Sequence, residues 1–176
     1  MRGSIPRGAM GLGAMGLETV GGLWFADVMA LTGTYVPSSQ QWVRDQVAEY
    51  EASGGTRATT LLDTGDPVVV ITSVGAKSGN LRKNPVMRVT RDGKYLAVAS
   101  KGGAPENPSW YANFVAHPEV ELQDGPEKHL YRARVLSGEE RADWWEHAVA
   151  TWSTYGEYQK KTDREIPLFL LERVDA

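Results

Sequence analysis

The chain has 176 residues and a net charge of −3, with 22 acidic and 19 basic side chains and no cysteine. Its length fits one domain with a hydrophobic core. The lack of cysteine excludes disulfides, thiolate nucleophiles and cysteine-ligated metals. The three histidines, His117, His129 and His147, show no spacing typical of a zinc site, so no metal site is predicted. We expect a cytoplasmic protein, because a cysteine-free chain suits a reducing compartment.

The N-terminal region divides into two parts. Residues 1–17 contain GAMGL twice and no apolar signal-peptide core, and are interpreted as a vector-derived leader. Residues 18–55 are predicted to be a helical segment. Within it, residues 22–36 place Trp24, Val28, Leu31 and Tyr35 on one helical face. This stretch is too short to span a membrane and carries Asp27. It is compatible with an interfacial helix at the inner face of the membrane, but packing on the domain or on a neighbouring chain is favoured.

The next stretch, PSSQQWVRDQVAEYEASGG, predicts a second helix over residues 37–55. Val43, Val47 and Tyr50 fall on one face, and the glycine pair at 54–55 marks the end.

Residues 56–176 become rich in strands and are predicted to form the main domain. Predicted strands are ATTLL, PVVVITSV, VMRVT, YLAVAS, VELQD, HLYRARVL and IPLFLLERV. Predicted helices are NPSWYANFVAHPE, with Asn107 as N-cap and Pro108 at its first position, and GEERADWWEHAVATW, with a capping box of Ser137 and Glu140. Short strands in hairpins with a few helices indicate a mainly β fold with helical cover, arranged as an antiparallel barrel.

The stretch VVVITSVGAKSGNLRKNP, residues 68–85, has the composition of a phosphate-binding loop. A nucleotide-hydrolysing P-loop needs four residues between its first glycine and Gly-Lys-Ser/Thr, followed by a helix. Here Lys77 comes only two residues after Gly75, and a strand containing Pro85 follows. The stretch is therefore either an anion cradle, with charge from Lys77, Arg82 and Lys83, or an ordinary hairpin turn.

Positive charge is concentrated around this loop. From Lys77 to Lys101 the chain has seven basic residues and one acid, Asp92. Such a local concentration on a negative chain favours a compact anionic ligand over a nucleic acid, with a solvated pair of basic strands as the alternative. A second basic glycine turn, Ser100-Lys101-Gly102-Gly103, follows the next hairpin. The two turns would converge on one ligand if their strands are neighbours.

Three segments together, ITSVGAKSGNLRKNPV, VASKGGAPENPSWYANFVAHPEVEL and YGEYQKKTDREIPLFLLERV, resemble the deazaflavin-dependent nitroreductase family. The motifs G-x-K-[ST]-G-x-x-R-x-x-P, A-S-K-G-G and N-P-x-W-Y-x-N are specific in this order and spacing. The resemblance implies a split β-barrel like that of flavin-dependent pyridoxamine oxidases. It also implies hydride transfer from reduced coenzyme F420, an 8-hydroxy-5-deazaflavin, to a quinone, an enone or a nitroaromatic acceptor.

The resemblance also implies where the site residues lie. Cofactor-binding positions, carried over by motif, are Lys77, Ser78, Gly79, Arg82, Asn84, Pro85, Ser100, Lys101, Gly102, Gly103, Asn107 and Trp110. Substrate-binding positions are Met87, Trp152, Tyr155 and Tyr158. From the residues alone, Asn107 is first a helix cap and Trp110 is more typical of core. Ser100, Tyr155 and Tyr158 are candidate catalytic proton donors or orienting groups. The three aromatic residues 152, 155 and 158 could equally cover the barrel.

Two positions depart from the family's nitroreductase, which has tyrosines where this chain has Trp152 and Met87. The coenzyme motifs are retained, so the resemblance supports the identity of the coenzyme more strongly than that of the electron acceptor. Two alternatives stay open: a split-barrel flavoprotein that uses FMN, and a module that binds F420 without turnover. The oligomeric state is not fixed by the sequence, and a dimer is compatible with it.

Overall fold

The computed structural model describes residues 31–174, which form one antiparallel seven-stranded sheet and four α-helices. The strands are β1 Val68–Val74, β2 Leu81–Met87, β3 Thr90–Arg91, β4 Lys94–Val98, β5 Glu119–Asp124, β6 Glu127–Val135 and β7 Leu168–Arg173. The helices are α1 Gln41–Ala52, α2 Ser109–Ala116, α3 Gly138–Thr151 and α4 Thr154–Lys160.

The sheet order is β2-β1-β5-β6-β7-β4-β3. Although four strands separate β2 from β4 in this order, the two strands contact each other, so the sheet is curled into a split β-barrel. The mainly β fold with helical cover is therefore confirmed. Because β2 lies beside β4, the turn that precedes β2 and the turn that follows β4 lie at neighbouring strands.

The core lies on both faces of the sheet. Along β1, Val68 and Val70 belong to one apolar cluster, whereas Val69 and Ile71 belong to the other. Helices α1, α3 and α4 cover the first cluster, and α2 covers the second. Successive side chains of a strand point to opposite faces, so strands that are covered on both sides need unbroken apolar runs. The runs VVVI in β1 and LFLL in β7 meet this need.

Helix α1 confirms the amphipathic pattern, because Val43, Val47 and Tyr50 are its buried residues. The Tyr50 hydroxyl accepts a hydrogen bond from Gly125 N at 2.7 Å. A Cβ on Gly55 would lie 2.1 Å from the Gly125 carbonyl oxygen, so only glycine fits where this helix ends.

The predicted strand ATTLL is wrong. This segment makes only an isolated bridge between Thr60 and Pro67. The amide of Gln46 on α1 donates to the carbonyls of Ala58 and Thr60, at 3.1 and 2.7 Å, and these are groups that a strand ladder would need. Leu62 has φ 45°, which is outside the strand region.

Two predicted helix caps are also wrong. Helix α2 begins at Ser109 with Pro108 as its N-cap, and the Asn107 amide oxygen instead accepts from Arg164 Nη1 at 2.8 Å. Ser137 does occupy the N-cap of α3, but it makes no capping bond. The Glu140 carboxylate forms a bidentate pair with Arg134 instead of reaching back to the cap.

The helix predicted over residues 22–36 does not extend to its C-terminal end. Residues 31–36 are not helical, and Leu81 N donates to Thr34 O at 2.9 Å while Val36 N donates to Leu81 O at 3.0 Å. The segment thus pairs with the edge of β2. The remainder of 22–36 and the 1–17 leader lie outside the described residues, and the division into 18–55 and 56–176 stays a prediction. Within residues 31–174, no helix has the length and apolar character needed to cross a bilayer.

Candidate functional site

Two adjoining cavities, each of about 350 Å³, form one groove beside β2 and the C-terminal end of β4. We call them the basic cavity and the aromatic cavity. The basic cavity is lined by Ser38, Gly75, Ala76, Lys77, Ser78, Arg82, Lys83, Asn84, Ser109, Ala112 and Asn113. The aromatic cavity is lined by Gln40, Trp42, Val43, Leu61, Asn84, Pro85, Val86, Met87, Val98, Ser100, Lys101, Gly102, Pro108, Ser109, Trp110, Trp152, Tyr155 and Tyr158. Asn84 and Ser109 line both, so the two cavities are neighbours.

The basic cavity is built on the tight turn between β1 and β2. Gly75 N donates to Asn80 O at 2.7 Å and closes the turn. Ala76 N donates to the side-chain oxygen of Asn113 on α2 at 2.9 Å. A Cβ on Gly75 would meet Ser78 Oγ at 2.5 Å, so this position favours glycine. The turn is therefore held rigidly from two sides, and Lys77 projects from it.

Most of the concentrated positive charge is neutralised by acids. Lys83 pairs with Glu51, Arg88 with Asp124, Arg91 with Asp143, Lys94 with Glu172 and Lys101 with Glu106. Among residues 31–174, Lys77 and Arg82 have no ion-pair partner, and both line the basic cavity. Of the seven basic residues between positions 77 and 101, these two are therefore the ones left to bind an anion in the described part of the chain.

The wall of the aromatic cavity is an edge-to-face cluster of three rings. The Trp152 ring lies 4.9 Å from the Tyr155 ring and 5.7 Å from the Tyr158 ring, between centroids. Tyr155 is 2% exposed, and its burial raises the pKa of its hydroxyl above the usual value near 10. Tyr155 therefore stays protonated at neutral pH, and its hydroxyl is available as a hydrogen-bond donor.

A strained loop follows β4. Lys101, Gly102 and Gly103 have φ values of 46°, 64° and 82°, all in the left-handed region. A Cβ on Gly103 would lie 2.7 Å from the backbone oxygen of Tyr158. The loop therefore packs its backbone directly against helix α4, while Ser100, Lys101 and Gly102 line the aromatic cavity.

Comparison with known proteins identifies the family. Residues 42–173 match the model of the F420H2-dependent quinone reductases. The chain belongs to this family. It is thus an oxidoreductase of the F420H2-dependent quinone reductase type, and the resemblance seen in its sequence is confirmed.

Individual relatives of this reductase agree. An F420H2-dependent quinone reductase of Mycobacterium tuberculosis strain H37Rv is 35% identical over 111 residues, which cover 61% of this chain and 74% of that protein. A solved structure of an F420H2-dependent reductase, FDR-A, is 53% identical, with a TM-score of 0.58 over 60% of this chain and 94% of that one. A second solved structure, described only as a domain-swapped dimer, is 48% identical, with a TM-score of 0.60 over 77% of this chain and 100% of that one.

The groove of the reductase brings together most of the positions that the sequence predicts. All four predicted substrate-binding positions, Met87, Trp152, Tyr155 and Tyr158, line the aromatic cavity. Gly79, Gly103 and Asn107 line neither cavity, although they were predicted to bind cofactor. Trp110 lines the aromatic cavity and is also a core residue, 8% exposed and 4.7 Å from the Phe114 ring.

Sequence reasoning missed the N-terminal side of the groove. Ser38, Gln40 and Trp42 line the cavities, because residues 34–36 pair with the start of β2 at Leu81 and α1 begins shortly afterwards at Gln41. One signal was present in the sequence. Trp42 is a large aromatic residue off the buried face of α1, and it is 42% exposed.

Proposed function

We propose that the groove binds reduced coenzyme F420, with its acidic chain in the basic cavity and its flat ring in the aromatic cavity, and that a quinone is reduced there. One observation carries this proposal. Two cations with no ion-pair partner among residues 31–174 line one cavity, and an aromatic wall lines the cavity next to it. A flavin-like coenzyme with an anionic chain has the same two-part chemistry.

The residues present fit this coenzyme. Lys77 and Arg82 can each form a charge-assisted hydrogen bond to a phosphate oxygen. Gly102 has no side chain on the wall of the aromatic cavity, so backbone can approach a ring closely there. When bound, the coenzyme supplies the hydride, which no protein side chain can provide.

The protein's own part is to orient the acceptor and to manage a proton. A quinone that receives a hydride needs one proton to become the hydroquinone. Ser100, Tyr155 and Tyr158 line the cavity, and in this proposal their hydroxyls donate hydrogen bonds to the acceptor oxygen. Tyr155 holds its proton strongly because it is buried, so its role is to orient and polarise this oxygen, and water at the open side of the groove supplies the proton.

The residues that line the aromatic cavity indicate which electron acceptors the protein prefers. Trp152 narrows the cavity more than a tyrosine would, and Met87 adds a flexible apolar side chain to it. Both changes favour a flat, apolar acceptor such as a naphthoquinone. Nitroaromatic and enone acceptors belong to the same proposal as secondary substrates.

A direct experiment tests the coenzyme and the acceptor separately. Purified protein is titrated with oxidised F420 and with FMN, and F420H2 is then mixed with protein and a naphthoquinone while its reoxidation is followed. We expect F420 to bind more tightly than FMN, and reoxidation to depend on both protein and quinone. Tight binding of FMN without binding of F420 would overturn the coenzyme assignment. Binding of F420 without reoxidation by quinone, enone or nitro acceptors would make the protein a carrier of the coenzyme.

Assembly and location form a separate proposal. We propose that the protein is cytoplasmic and that it is a dimer; the relative described as a domain-swapped dimer supports the dimer. Peripheral membrane contact is proposed for the part of residues 22–36 that precedes residue 31, from its apolar pattern alone, because residues 31–36 pair with the edge of β2. Light scattering coupled to gel filtration checks the first, and flotation with anionic lipid vesicles checks the second.

A further inference from the structure

Arg164 lies in the segment that joins helix α4 to strand β7. Its own backbone is fixed from α4, because Gln159 Nε2 donates to Arg164 O at 2.8 Å and Gln159 Oε1 accepts from Ile166 N at 3.0 Å. Arg164 lines neither cavity of the groove. Any effect on the reaction must therefore pass through the groups that it bonds.

All three guanidinium nitrogens of Arg164 donate to the loop that follows β4. Nε donates to Ala104 O at 2.9 Å. Nη1 donates to Ala99 O at 3.2 Å and to Asn107 Oδ1 at 2.8 Å. Nη2 donates to Ala99 O at 3.2 Å, Ser100 O at 2.9 Å and Glu106 O at 3.1 Å. These acceptors all lie 57 to 65 residues earlier in the chain. One side chain thus holds the whole loop from residue 99 to residue 107.

The held loop is under backbone strain. Lys101 is not a glycine, yet it has φ 46°, which costs about 1–2 kcal/mol for a residue with a Cβ. Such a conformation persists only where surrounding bonds determine it, and strain of this kind is concentrated at functional sites. The Arg164 bond to Ser100 O lies directly beside the strained residue.

The loop and the aromatic wall are coupled at a second point. Gly103 approaches the backbone of Tyr158 so closely that a Cβ would lie 2.7 Å from its oxygen. Helix α4 carries the wall residues Tyr155 and Tyr158, and the chain reaches Arg164 four residues after this helix ends. The guanidinium therefore closes a ring of contacts that joins the loop, α4 and the connection to β7.

We infer that Arg164 is a positioning residue that fixes the distance between the coenzyme and the acceptor. This inference rests on the proposed function, since it assumes that Ser100 to Gly102 contact F420 and that Tyr155 and Tyr158 on α4 contact the quinone. A lysine cannot replace it, because a single ammonium group has three donors at one point, whereas these acceptors surround a planar fork. Misplacement of about 1 Å by a residue remote from the chemistry can cost about 100-fold in rate.

The test compares Arg164→Lys and Arg164→Ala with the control Arg141→Lys. Arg141 is a suitable control because it also anchors the connection to β7, through Ile166 O at 2.6 Å and Glu165 at 2.9 Å, without bonding the loop. For Arg164→Lys we expect kcat to fall about 10- to 100-fold and KM for F420H2 to rise about tenfold, with KM for the quinone within twofold. Arg141→Lys should retain kcat and both KM values within twofold.

Chemical rescue separates positioning from general stability. Millimolar guanidinium should restore part of the kcat of Arg164→Ala, and it should not raise the activity of Arg141→Lys or of the parent protein. A folded Arg164→Lys with kcat and coenzyme KM within twofold of the parent would overturn the inference. If neither Arg164 variant folds, Asn107→Leu serves as the test, because it removes one of the acceptors to which the Arg164 guanidinium donates. An unchanged coenzyme KM in that variant would overturn it equally.

Failure of the proposed function is visible separately. If the parent protein does not bind oxidised F420, the proposed function is wrong. If the parent binds F420 and Arg164→Lys binds and turns over equally well, only the role of Arg164 is wrong.

Discussion

Removing the charge of Lys77 or Arg82 should weaken binding of oxidised F420, whereas removing that of Lys94 should not. All three are among the seven basic residues between positions 77 and 101. Lys94 pairs with Glu172 at 3.3 Å and lines neither cavity. Glu172 keeps a second partner, Arg134, when Lys94 is removed, so Lys94→Ala changes the total charge without leaving an unpaired acid.

The expected loss of binding free energy follows from the positions of Lys77 and Arg82. Two unit charges 4 Å apart attract by about 1 kcal/mol in water and about 4 kcal/mol at the effective dielectric constant of a protein surface. Lys77 is exposed and Arg82 is half-buried, in a groove that is open to solvent, so values near the lower end apply. A loss of about 1–2 kcal/mol corresponds to about a five- to thirtyfold increase in Kd, with the larger effect at Arg82.

The assay is fluorescence titration of oxidised F420 into Lys77→Ala, Arg82→Ala and Lys94→Ala at 0.05 and 0.5 M KCl. Screening shortens the range of exposed charges, so the differences should shrink at the higher salt concentration. Circular dichroism checks that each variant is folded. If all three variants weaken binding equally, total charge rather than the two unpaired cations decides affinity, and the assignment of the basic cavity is refuted.

Three further predictions concern the loop, the wall and the sheet. Gly103→Ala should lower Tm by at least about 2–4 °C, because φ 82° costs a residue with a Cβ about 1 kcal/mol before any clash with Tyr158, and an unchanged Tm would contradict the close packing. Tyr155→Phe should lower kcat about three- to tenfold through loss of one hydrogen bond, and equal kcat values would remove Tyr155 from the mechanism. In the parent protein, titration of Tyr155 should cause no decline in kcat below about pH 10, since burial raises the pKa of this residue. The bond from Arg134 lowers the pKa of Glu172, so the stability it provides is present above about pH 4.5 and is lost as the pH falls further. Arg134→Met should therefore lower Tm by about 2–4 °C at pH 7 and by less at pH 3, and an equal deficit at both pH values would show that packing causes it.

Local pattern was enough to predict the hairpin of β5 and β6. The predicted strands VELQD and HLYRARVL differ from the observed Glu119–Asp124 and Glu127–Val135 by one or two residues at their ends. Both strands pair with their nearest neighbour in the chain, so alternation and one turn contain the necessary information. The two glycine turns of the groove were predictable for the same reason, since each depends on residues a few positions apart.

Long-range partners were beyond the reach of the sequence. The charge count around the first turn could not reveal that Glu51, Asp124, Asp143 and Glu172 neutralise four of the cations, because these acids come from other elements. Arg164 looked like one more charged residue in a connecting segment, and its acceptors are backbone carbonyls that carry no signature of their own. The failed strand ATTLL has a similar cause, because a side chain of α1 takes its carbonyls.

The contact between Gly103 and Tyr158 bears on how acceptor preference can diversify. Gly103 meets the main chain of Tyr158 and not its ring, so the ring can be replaced without disturbing the coenzyme loop. Trp152 and Tyr155 contribute their rings to the cavity from the same wall. Because Trp152 and Tyr158 are not fully buried, we expect substitutions there to change acceptor preference more than coenzyme affinity, and a library restricted to these two positions to yield reductases that accept new substrates from the same hydride donor.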